Sequence, residues 1–333
     1  MNGAEDNRDA RFPARRRDGA SLRRSRYVVA CLAGHGTGPE MMAEASRALA
    51  QVSSLHGFHL DEVHPPFAGE AVTRTGNPLP PATRRATLSA DAILVAGPSQ
   101  PALDGVRAEL DLAASVVRVQ RPDGDVTIFA PLDDPLEEWT LERAFASACE
   151  RTGSLVAVGV GHGWNALVER VADRHPGVSV RHLPLAQALQ QLATAPASAG
   201  VVVTERALAD ALADAPRLRA GGESRAAVGL LSRTGPGLFA PVHGSAHDLA
   251  GQGVANPTEI LLAVALLLAE GLGRRAAAET LEESLAAARR RADRTPDAAG
   301  GRLAAGTREF VDVVLGLLPA ARKDTEFALG GVR

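Results

Sequence analysis

Short apolar segments alternate with longer helical segments along most of this chain, and this alternation constrains the fold more than any other feature. The run 92–96 is continuously apolar, as in a strand buried on both faces of a parallel sheet. Strands that alternate with helices predict an α/β fold with a largely parallel sheet. The predicted strands are 27–33, 60–63, 92–96, 126–129, 155–158, 178–181 and 200–203. The predicted helices are 39–55, 81–88, 138–152, 164–174, 185–193, 205–214, 258–272, 275–292 and 304–319, and 219–257 is expected to be a glycine-rich stretch followed by a long loop.

Composition excludes several classes of protein. The chain has 333 residues, of which 45% are hydrophobic, and a formal net charge of −3, which argues against a general nucleic-acid-binding protein. Its two cysteines, Cys31 and Cys149, make neither a disulfide framework nor a zinc site based on cysteines, and they suit a reducing compartment. No apolar run reaches the ~18–20 residues of a membrane span. We therefore expect a cytoplasmic protein with no membrane partner.

The first 26 residues are polar and rich in arginine, with no apolar periodicity. Such a segment cannot bury enough surface to offset its ordering entropy, so we expect a disordered tail. A twin-arginine export signal is the alternative, because the short apolar run 27–33 follows. The same run is explained more simply as a buried first strand.

A glycine loop, 34–38, joins the first predicted strand to the first helix. Its spacing is G-x-G-x-G, which is neither the Rossmann fingerprint nor a Walker loop. The glycines permit a tight turn and close approach of a ligand to the backbone. On this segment alone, a structural turn and a ligand contact remain equally open.

The segment 241–257 holds two histidines, an aspartate, an asparagine and several glycines ahead of a very apolar helix. Asp248 would accept hydrogen bonds from ribose hydroxyls, and its charge would repel a 2′-phosphate. The alternative is a turn-rich connector whose polar groups cap the next helix, with Asn256 and Pro257 at its end.

Together these motifs resemble the isopropylmalate and isocitrate dehydrogenase family, which comprises NAD(P)-dependent decarboxylating enzymes of 2-hydroxy acids. The segment 241–257 resembles the family's adenine-nucleotide loop, and 34–40 its first loop, with His35 where the family usually has aspartate. The matching segments farther along are 67–71, 76–80, 91–98, 295–297, 306–307 and 309–310.

The resemblance implies a two-domain, isopropylmalate dehydrogenase-like fold that is not a Rossmann fold. The cofactor-side domain would comprise 27–105 and 238–325, and the central substrate and dimerisation domain 106–237. The resemblance also implies a dimer with active sites at the subunit interface, and NAD rather than NADP as the cofactor. The implied cofactor ligands are His243, Gly244, Ser245, Ala246, Asp248 and Asn256.

The family's metal site is only partly matched. Asp210 and Asp214 match two of its aspartates, and their i, i+4 spacing puts both carboxylates on one helical face, as Mg²⁺ or Mn²⁺ ligation requires. The third aspartate would come from across the dimer, but Ala186 occupies that region here. We therefore expect a weakened metal site; a solvated helix face is the alternative.

The arginines that hold a small carboxylic acid substrate are also incomplete. Arg107 matches the first. The second position falls at Val117, with Arg118 one residue away, and a one-residue offset in a strand reverses the face of the side chain. The third falls near Ala130, which carries no charge. Arg107 and Arg118 are the candidate substrate ligands.

The proton-transfer groups that the family uses are missing. Its tyrosine would lie near 137–139 and its lysine near 161–163, but the only tyrosine is Tyr27 and the only lysine is Lys323. His162 is the candidate substitute base, because imidazole titrates near neutrality; a structural histidine in a glycine turn is the alternative.

Three functional hypotheses follow. The first is an NAD-binding protein with lost or altered catalysis, acting as a homodimer or as a regulatory subunit of an intact paralogue. The second is an active NAD-dependent dehydrogenase with a changed substrate and His162 as base. The third is a lyase or isomerase that uses the same cleft without net redox change.

Overall fold

The computed structural model describes residues 25–97, 100–133, 137–161, 163–218, 224–242, 246–291 and 305–320. The strands are β1 (Arg26–Leu32), β2 (His59–Val63), β3 (Ala92–Val95), β4 (Leu112–Arg121), β5 (Gly124–Pro131), β6 (Ser154–Val158), β7 (Ser179–His182), β8 (Val201–Thr204), β9 (Arg225–Ser232) and β10 (Gly237–Pro241). The helices are α1 (Gly38–Leu55), α2 (Ala68–Thr75), α3 (Pro81–Ser89), α4 (Gln100–Arg107), α5 (Glu138–Arg151), α6 (Trp164–Ala172), α7 (Leu185–Thr194), α8 (Arg206–Leu218), α9 (Thr258–Leu266), α10 (Arg275–Arg290) and α11 (Thr307–Gly316).

The ten strands form one sheet in the order β2-β1-β3-β10-β9-β4-β5-β8-β6-β7. The strands at the two ends of the sheet pair in parallel, whereas β10, β9, β4 and β5 pair antiparallel to one another. This confirms the predicted α/β fold with a largely parallel sheet. The antiparallel centre also makes β1, β3 and β10 run opposite to β5, β8 and β6, so the carboxyl ends of these two groups lie at opposite edges.

The centre of the sheet contains strands where the sequence predicts a loop. The sequence predicts a glycine-rich stretch over 219–237 and a long loop over 238–257. This is wrong for β9 and β10, which form an antiparallel hairpin. The glycines of this hairpin are typical of loops in a sequence, so the strands were not predicted. A Cβ built at Gly229 would lie 2.8 Å from the ring of Phe239 and 2.9 Å from Val116, so the glycine makes room for the ring. Strand β4 and helices α2 and α4 were not predicted either.

Each face of the sheet packs differently. Helices α1, α5, α9, α10 and α11 cover one face, here called the covered face, over the largest apolar cluster. On the other face, α2, α3 and α4 pack at one end and α7 and α8 at the other, over two separate clusters. We call this the cleft face.

The middle of the cleft face is open between these two helical groups. Ser115, Val117, Val228, Leu230 and Ala240 lie side by side on β4, β9 and β10, and all five are only half-buried. Their neighbours in sequence are mostly buried, as expected for alternation between an open and a covered face. These five side chains form the floor of a cleft, and none of them carries a charge.

Both ends of the chain contribute to the β2-β1-β3-β10 side of the sheet, and its middle third contributes the other side. The proposed domain limits remain a prediction, and nearly all of the predicted tail, 1–24, lies outside the described residues. Within the described ranges, no helix combines the length and the apolar character that a bilayer span requires.

Candidate cofactor and active site

The glycine loop 34–38 lies at the carboxyl end of β1. Gly34 and Gly36 have φ angles of 73° and 64°, in the left-handed region that favours glycine. A Cβ built at Gly38 would lie 1.8 Å from the carbonyl oxygen of Ala33, so no larger residue fits there without a backbone shift. The loop is a sterically required turn that leads directly into α1.

A pair of histidines joins this loop to the segment 246–257. The rings of His35 and His247 stack with centroids 4.9 Å apart and an interplanar angle of 20°. His35 also lies against α2, since a Cβ built at Gly69 would be 3.5 Å from the Cβ of His35. Three segments that are far apart in sequence therefore meet at the carboxyl ends of β1, β3 and β10, the edge where ligands bind in open α/β sheets.

Helix α11 anchors the segment 246–257. The backbone N–H of Thr307 donates to the carbonyl of Gly253 (2.8 Å), and its buried hydroxyl donates to the carbonyl of Ala255 (2.6 Å). At the end of the segment, the side-chain oxygen of Asn256 accepts a hydrogen bond from the N–H of Thr258, the first residue of α9 (2.9 Å). Asn256 thus has the capping contact expected of a connector.

Part of this segment is exposed and leaves its backbone open. The side chains of His247 and Asp248 are exposed, and Gly251 and Gly253 have no atom within 4 Å of a Cβ position. The φ angle of Ala246 is 38°, which is strained for a residue with a side chain. The carboxylate of Asp248 is therefore exposed to solvent close to backbone that no side chain covers. His243, Gly244 and Ser245 lie outside the described residues.

The two predicted metal ligands lie on the solvent-facing side of α8. Asp210 and Asp214 are both exposed, and a carboxylate oxygen of Asp214 is 3.2 Å from Arg217. Ala186 is exposed on the neighbouring helix α7. Within the described parts of the chain, neither aspartate belongs to a group of three side chains able to hold an ion. The weakened metal site at Asp210 and Asp214 stays a prediction.

The structure separates the two predicted substrate arginines. Arg107, at the end of α4, lies among residues that pack on the cleft face. Val117 is on the cleft floor, whereas Arg118 points to the covered face, where it is 6% exposed. The predicted role of Arg118 as a substrate ligand is therefore not retained: the one-residue offset in β4 turns its guanidinium away from the cleft.

Arg118 instead belongs to a buried ionic network. Its Nη2 lies 3.0 Å from both Glu282 on α10 and Asp125 on β5, and Arg151 on α5 donates two further hydrogen bonds to Glu282, of 3.1 and 3.0 Å. Burial alone would raise the pKa of Glu282, but the charges of Arg118 and Arg151 outweigh it and hold that pKa below its ordinary value. The sequence gives no signal for this network, because its members lie far apart in the chain.

Residues near the positions expected for the proton-transfer groups, and the chain's only tyrosine, make other contacts. Glu137, where the tyrosine would lie, pairs with Arg233 (2.6 Å), which also binds Asp111. Tyr27 is buried and its hydroxyl accepts a hydrogen bond from Arg274 (3.1 Å), so it belongs to the core. Lys323 lies outside the described residues.

His162 also lies outside the described residues, but its flanks are described. The carboxylate of Glu205 accepts hydrogen bonds from the N–H groups of Val160 (3.0 Å) and Gly161 (2.8 Å), which fixes the loop after β6. Strand β6 is seven positions from β1 in the sheet order, about 34 Å at the usual strand spacing. Within one chain, this loop and the glycine loop 34–38 therefore lie at distant parts of the sheet.

Comparison with known proteins agrees with this arrangement. The family model described as isocitrate/isopropylmalate dehydrogenase matches residues 28–118 and 144–314. A 3-isopropylmalate dehydrogenase from Salinibacter ruber is 32% identical over 335 residues, covering 82% of this chain and 90% of that enzyme. One from Synechococcus is 31% identical over 336 residues, covering 82% of this chain and 94% of that enzyme.

Solved structures share the fold. A β-decarboxylating dehydrogenase from Thermococcus kodakarensis superposes with a TM-score of 0.72 at 24% identity, covering 88% of this chain and 96% of that one. An isocitrate dehydrogenase from Methylococcus capsulatus superposes with a TM-score of 0.69 at 21% identity, covering 88% of this chain and 99% of that one. With the match of the family model over most of its length, this chain belongs to the isocitrate/isopropylmalate dehydrogenase family.

Proposed function

We propose that this protein binds NAD⁺ at the segment 246–257 and that it has lost, or strongly altered, the Mg²⁺-dependent oxidative decarboxylation of a malate-type 2-hydroxy acid. The nucleotide segment supports the first part, because α11 anchors it and the stacked His35 and His247 join it to the glycine loop. Asp248 would bind the ribose. Bound NAD⁺ would supply a hydride acceptor.

One observation carries the second part: the cleft floor presents Val117 where a substrate arginine is expected, and Arg118 faces the other side of the sheet. A dicarboxylate in this cleft would meet an uncharged floor, and Arg107 remains as the single matched arginine for a small carboxylic acid. The sequence has no tyrosine at 137–139 and no lysine at 161–163, where the family's proton-transfer groups would lie, and Tyr27 is in the core. General acid–base groups contribute roughly 10²–10⁴-fold each.

Calorimetric titration tests the cofactor. We expect NAD⁺ to bind and NADP⁺ to bind more weakly, because the carboxylate of Asp248 would repel a 2′-phosphate. Asp248→Asn should weaken NAD⁺ binding by about tenfold, the lower end for a hydrogen bond to a charged group. Asp173→Asn, at an exposed helix end, is the matched control and should leave binding unchanged. Absence of any NAD⁺ signal would refute the cofactor assignment.

Turnover tests the chemistry. With Mg²⁺ or Mn²⁺ and isopropylmalate, isocitrate or malate, we expect NADH formation at least roughly 10⁴-fold below that of an intact relative, since two proton-transfer groups are missing. The Salinibacter ruber enzyme is the positive control. Rates comparable to that enzyme would contradict the loss of catalysis, and their abolition by His162→Ala would establish the alternative in which His162 is the base.

We also propose that the protein assembles as a homodimer or with an intact paralogue. The resemblance to the family supports a dimer, and the incomplete metal set favours an intact paralogue as the partner. A second copy of this chain would bring Ala186, which cannot bind an ion, to the third ligand position. Light scattering of the protein alone and with the paralogue distinguishes the two assemblies. A monomer under both conditions would refute the proposal.

A further inference from the structure

A cluster of three side chains with metal-ligating atoms lies on the covered face, apart from Asp210 and Asp214. Cys31 comes from β1, Glu62 from β2 and His64 from the residue just after β2. One ligand atom from each lies within 4.8 Å of those of the other two. It is the one such group of three found within the described residues.

The backbone places these side chains together. Glu62 pairs with Val29 in the parallel register of β1 and β2, so it shares a face with Val29 and Cys31. His64 is two residues beyond Glu62, and an i, i+2 step in extended chain returns a side chain to the same face. The cluster is thus a product of strand register, and Glu62-x-His64 is the sequence signal that could have revealed it.

The polar atoms converge on one oxygen. Oε2 of Glu62 is 3.7 Å from Sγ of Cys31 and 3.2 Å from Nε2 of His64, and it accepts a hydrogen bond from the hydroxyl of Ser46 on α1. Cys31 is 1% exposed, whereas the side chain of His64 is 51% exposed. The site is therefore closed toward the core and open to solvent at the edge of the sheet, which gives an ion a path of entry.

We propose that Cys31, Glu62 and His64 form a binding site for a zinc-class divalent cation. A thiolate, an imidazole and a carboxylate form a ligand set that Zn²⁺ accepts, and a water or the Ser46 hydroxyl completes four-fold coordination. Hard cations such as Mg²⁺ prefer oxygen ligands, so this site selects against the ion expected at Asp210 and Asp214. The site uses one cysteine, unlike the cysteine-based sites that the composition excludes.

The bound ion would join three elements at one border of the sheet. Strand β2 is the edge strand, paired to β1 along one side only. Coordination through Cys31 and Glu62 would cross-link β2 to β1, and Ser46 would extend the connection to α1. Because metal binding adds to the stability of the folded state, the ion should raise the melting temperature.

Cobalt(II) is the probe of choice, because it substitutes for zinc and a thiolate ligand gives it a charge-transfer band in the near ultraviolet. We expect the full-length protein to bind one equivalent of Co²⁺ with such a band, and Zn²⁺ to displace it. The band separates this site from Asp210 and Asp214, which offer no sulfur. Binding of Zn²⁺ should also raise the melting temperature.

Two matched pairs of variants test the ligands. His64→Ala should weaken Co²⁺ binding by at least about tenfold, the smallest loss typical even for an outer-shell group. His59→Ala should not weaken it, because His59 starts β2 and is on the face of that strand opposite Glu62. Cys31→Ser should abolish the charge-transfer band, whereas Cys149→Ser, which removes the exposed cysteine, should leave it intact.

The proposal is overturned if no thiolate band appears, if Cys149→Ser removes it, or if His64→Ala and His59→Ala behave alike. Since the side chain of His64 is half exposed, its removal should leave the core intact, and the melting temperature of the ion-free variant verifies this. Loss of the Zn²⁺-induced stabilisation in His64→Ala, with an unchanged melting temperature of the ion-free protein, supports the site independently of the buried Cys31.

Discussion

Replacement of Glu282 by glutamine removes the central anion of the buried ionic network while keeping the size and shape of its side chain. The Glu282 side chain is 8% exposed and lies between Arg118 (7%) and Arg151 (12%), so the substitution leaves two buried cations without their shared partner. Removing one partner of a buried ion pair costs about 3–5 kcal/mol of unfolding free energy. For a chain of 333 residues, this corresponds to a decrease in melting temperature of about 4–7 °C.

Differential scanning calorimetry measures the effect, and Glu283→Gln is the matched control, since Glu283 is the next residue along α10 and is exposed. The control should change the free energy of unfolding by less than about 0.5 kcal/mol. An unchanged melting temperature for Glu282→Gln would refute our interpretation that Arg118 serves the fold. NAD⁺ binding should be unaffected, because the network faces away from the cleft.

The stabilisation that Glu282 provides should depend on pH in a defined direction. The pKa of Glu282 is lower in the folded protein than in the unfolded chain, so the stabilisation is fully present above the ordinary glutamate range and is lost as the pH falls through the folded value. The difference in melting temperature between the parent protein and Glu282→Gln should therefore shrink below about pH 4. A difference that grows on acidification would contradict this assignment.

Three further substitutions test the site and the core. Thr307→Val leaves the buried carbonyl of Ala255 without its hydroxyl donor. Calorimetry should show a loss of about 1–3 kcal/mol in the free energy of unfolding and weaker NAD⁺ binding. Unchanged NAD⁺ affinity would argue against Thr307 as the anchor of the segment 246–257. Gly38→Ala places a methyl group 1.8 Å from the carbonyl oxygen of Ala33, so we expect a lower melting temperature and reduced NAD⁺ affinity; a parent-like protein would show that the turn adapts freely. Tyr27→Phe should lower the melting temperature, since it removes a partly buried hydrogen bond from Arg274, but it should leave NAD⁺ binding unchanged. A loss of NAD⁺ binding would place Tyr27 at the site instead.

Local sequence patterns predicted well the strands that pair in parallel on either side of the central antiparallel strands. The run 92–96 is apolar throughout, and β3 lies there, buried between β1 and β10. The central hairpin was not predicted, because Gly229 and Gly237 resemble loop residues in a sequence. Their absence of a side chain is a packing requirement: both lie against the ring of Phe239, a contact that only the folded sheet reveals.

For the candidate site, sequence motifs located the two loops but not their contact. The stacking of His35 on His247 joins residues more than two hundred positions apart, and no local pattern encodes it. The alternation rule did foresee that Arg118 and Val117 would face opposite sides. It could not show what each side chain would meet, since Glu282 reaches Arg118 from a helix near the other end of the chain.

The placement of Val117 and Arg118 on opposite faces of β4 has an evolutionary consequence. Under the proposed function, a mutation at Val117 would change what the cleft recognises, whereas a mutation at Arg118 would change the stability of the fold. Natural selection would then act on the two positions nearly independently. A lineage can therefore lose or replace its ligand while the fold persists. Val117→Arg is the single substitution that would put an anion-binding group on the cleft floor.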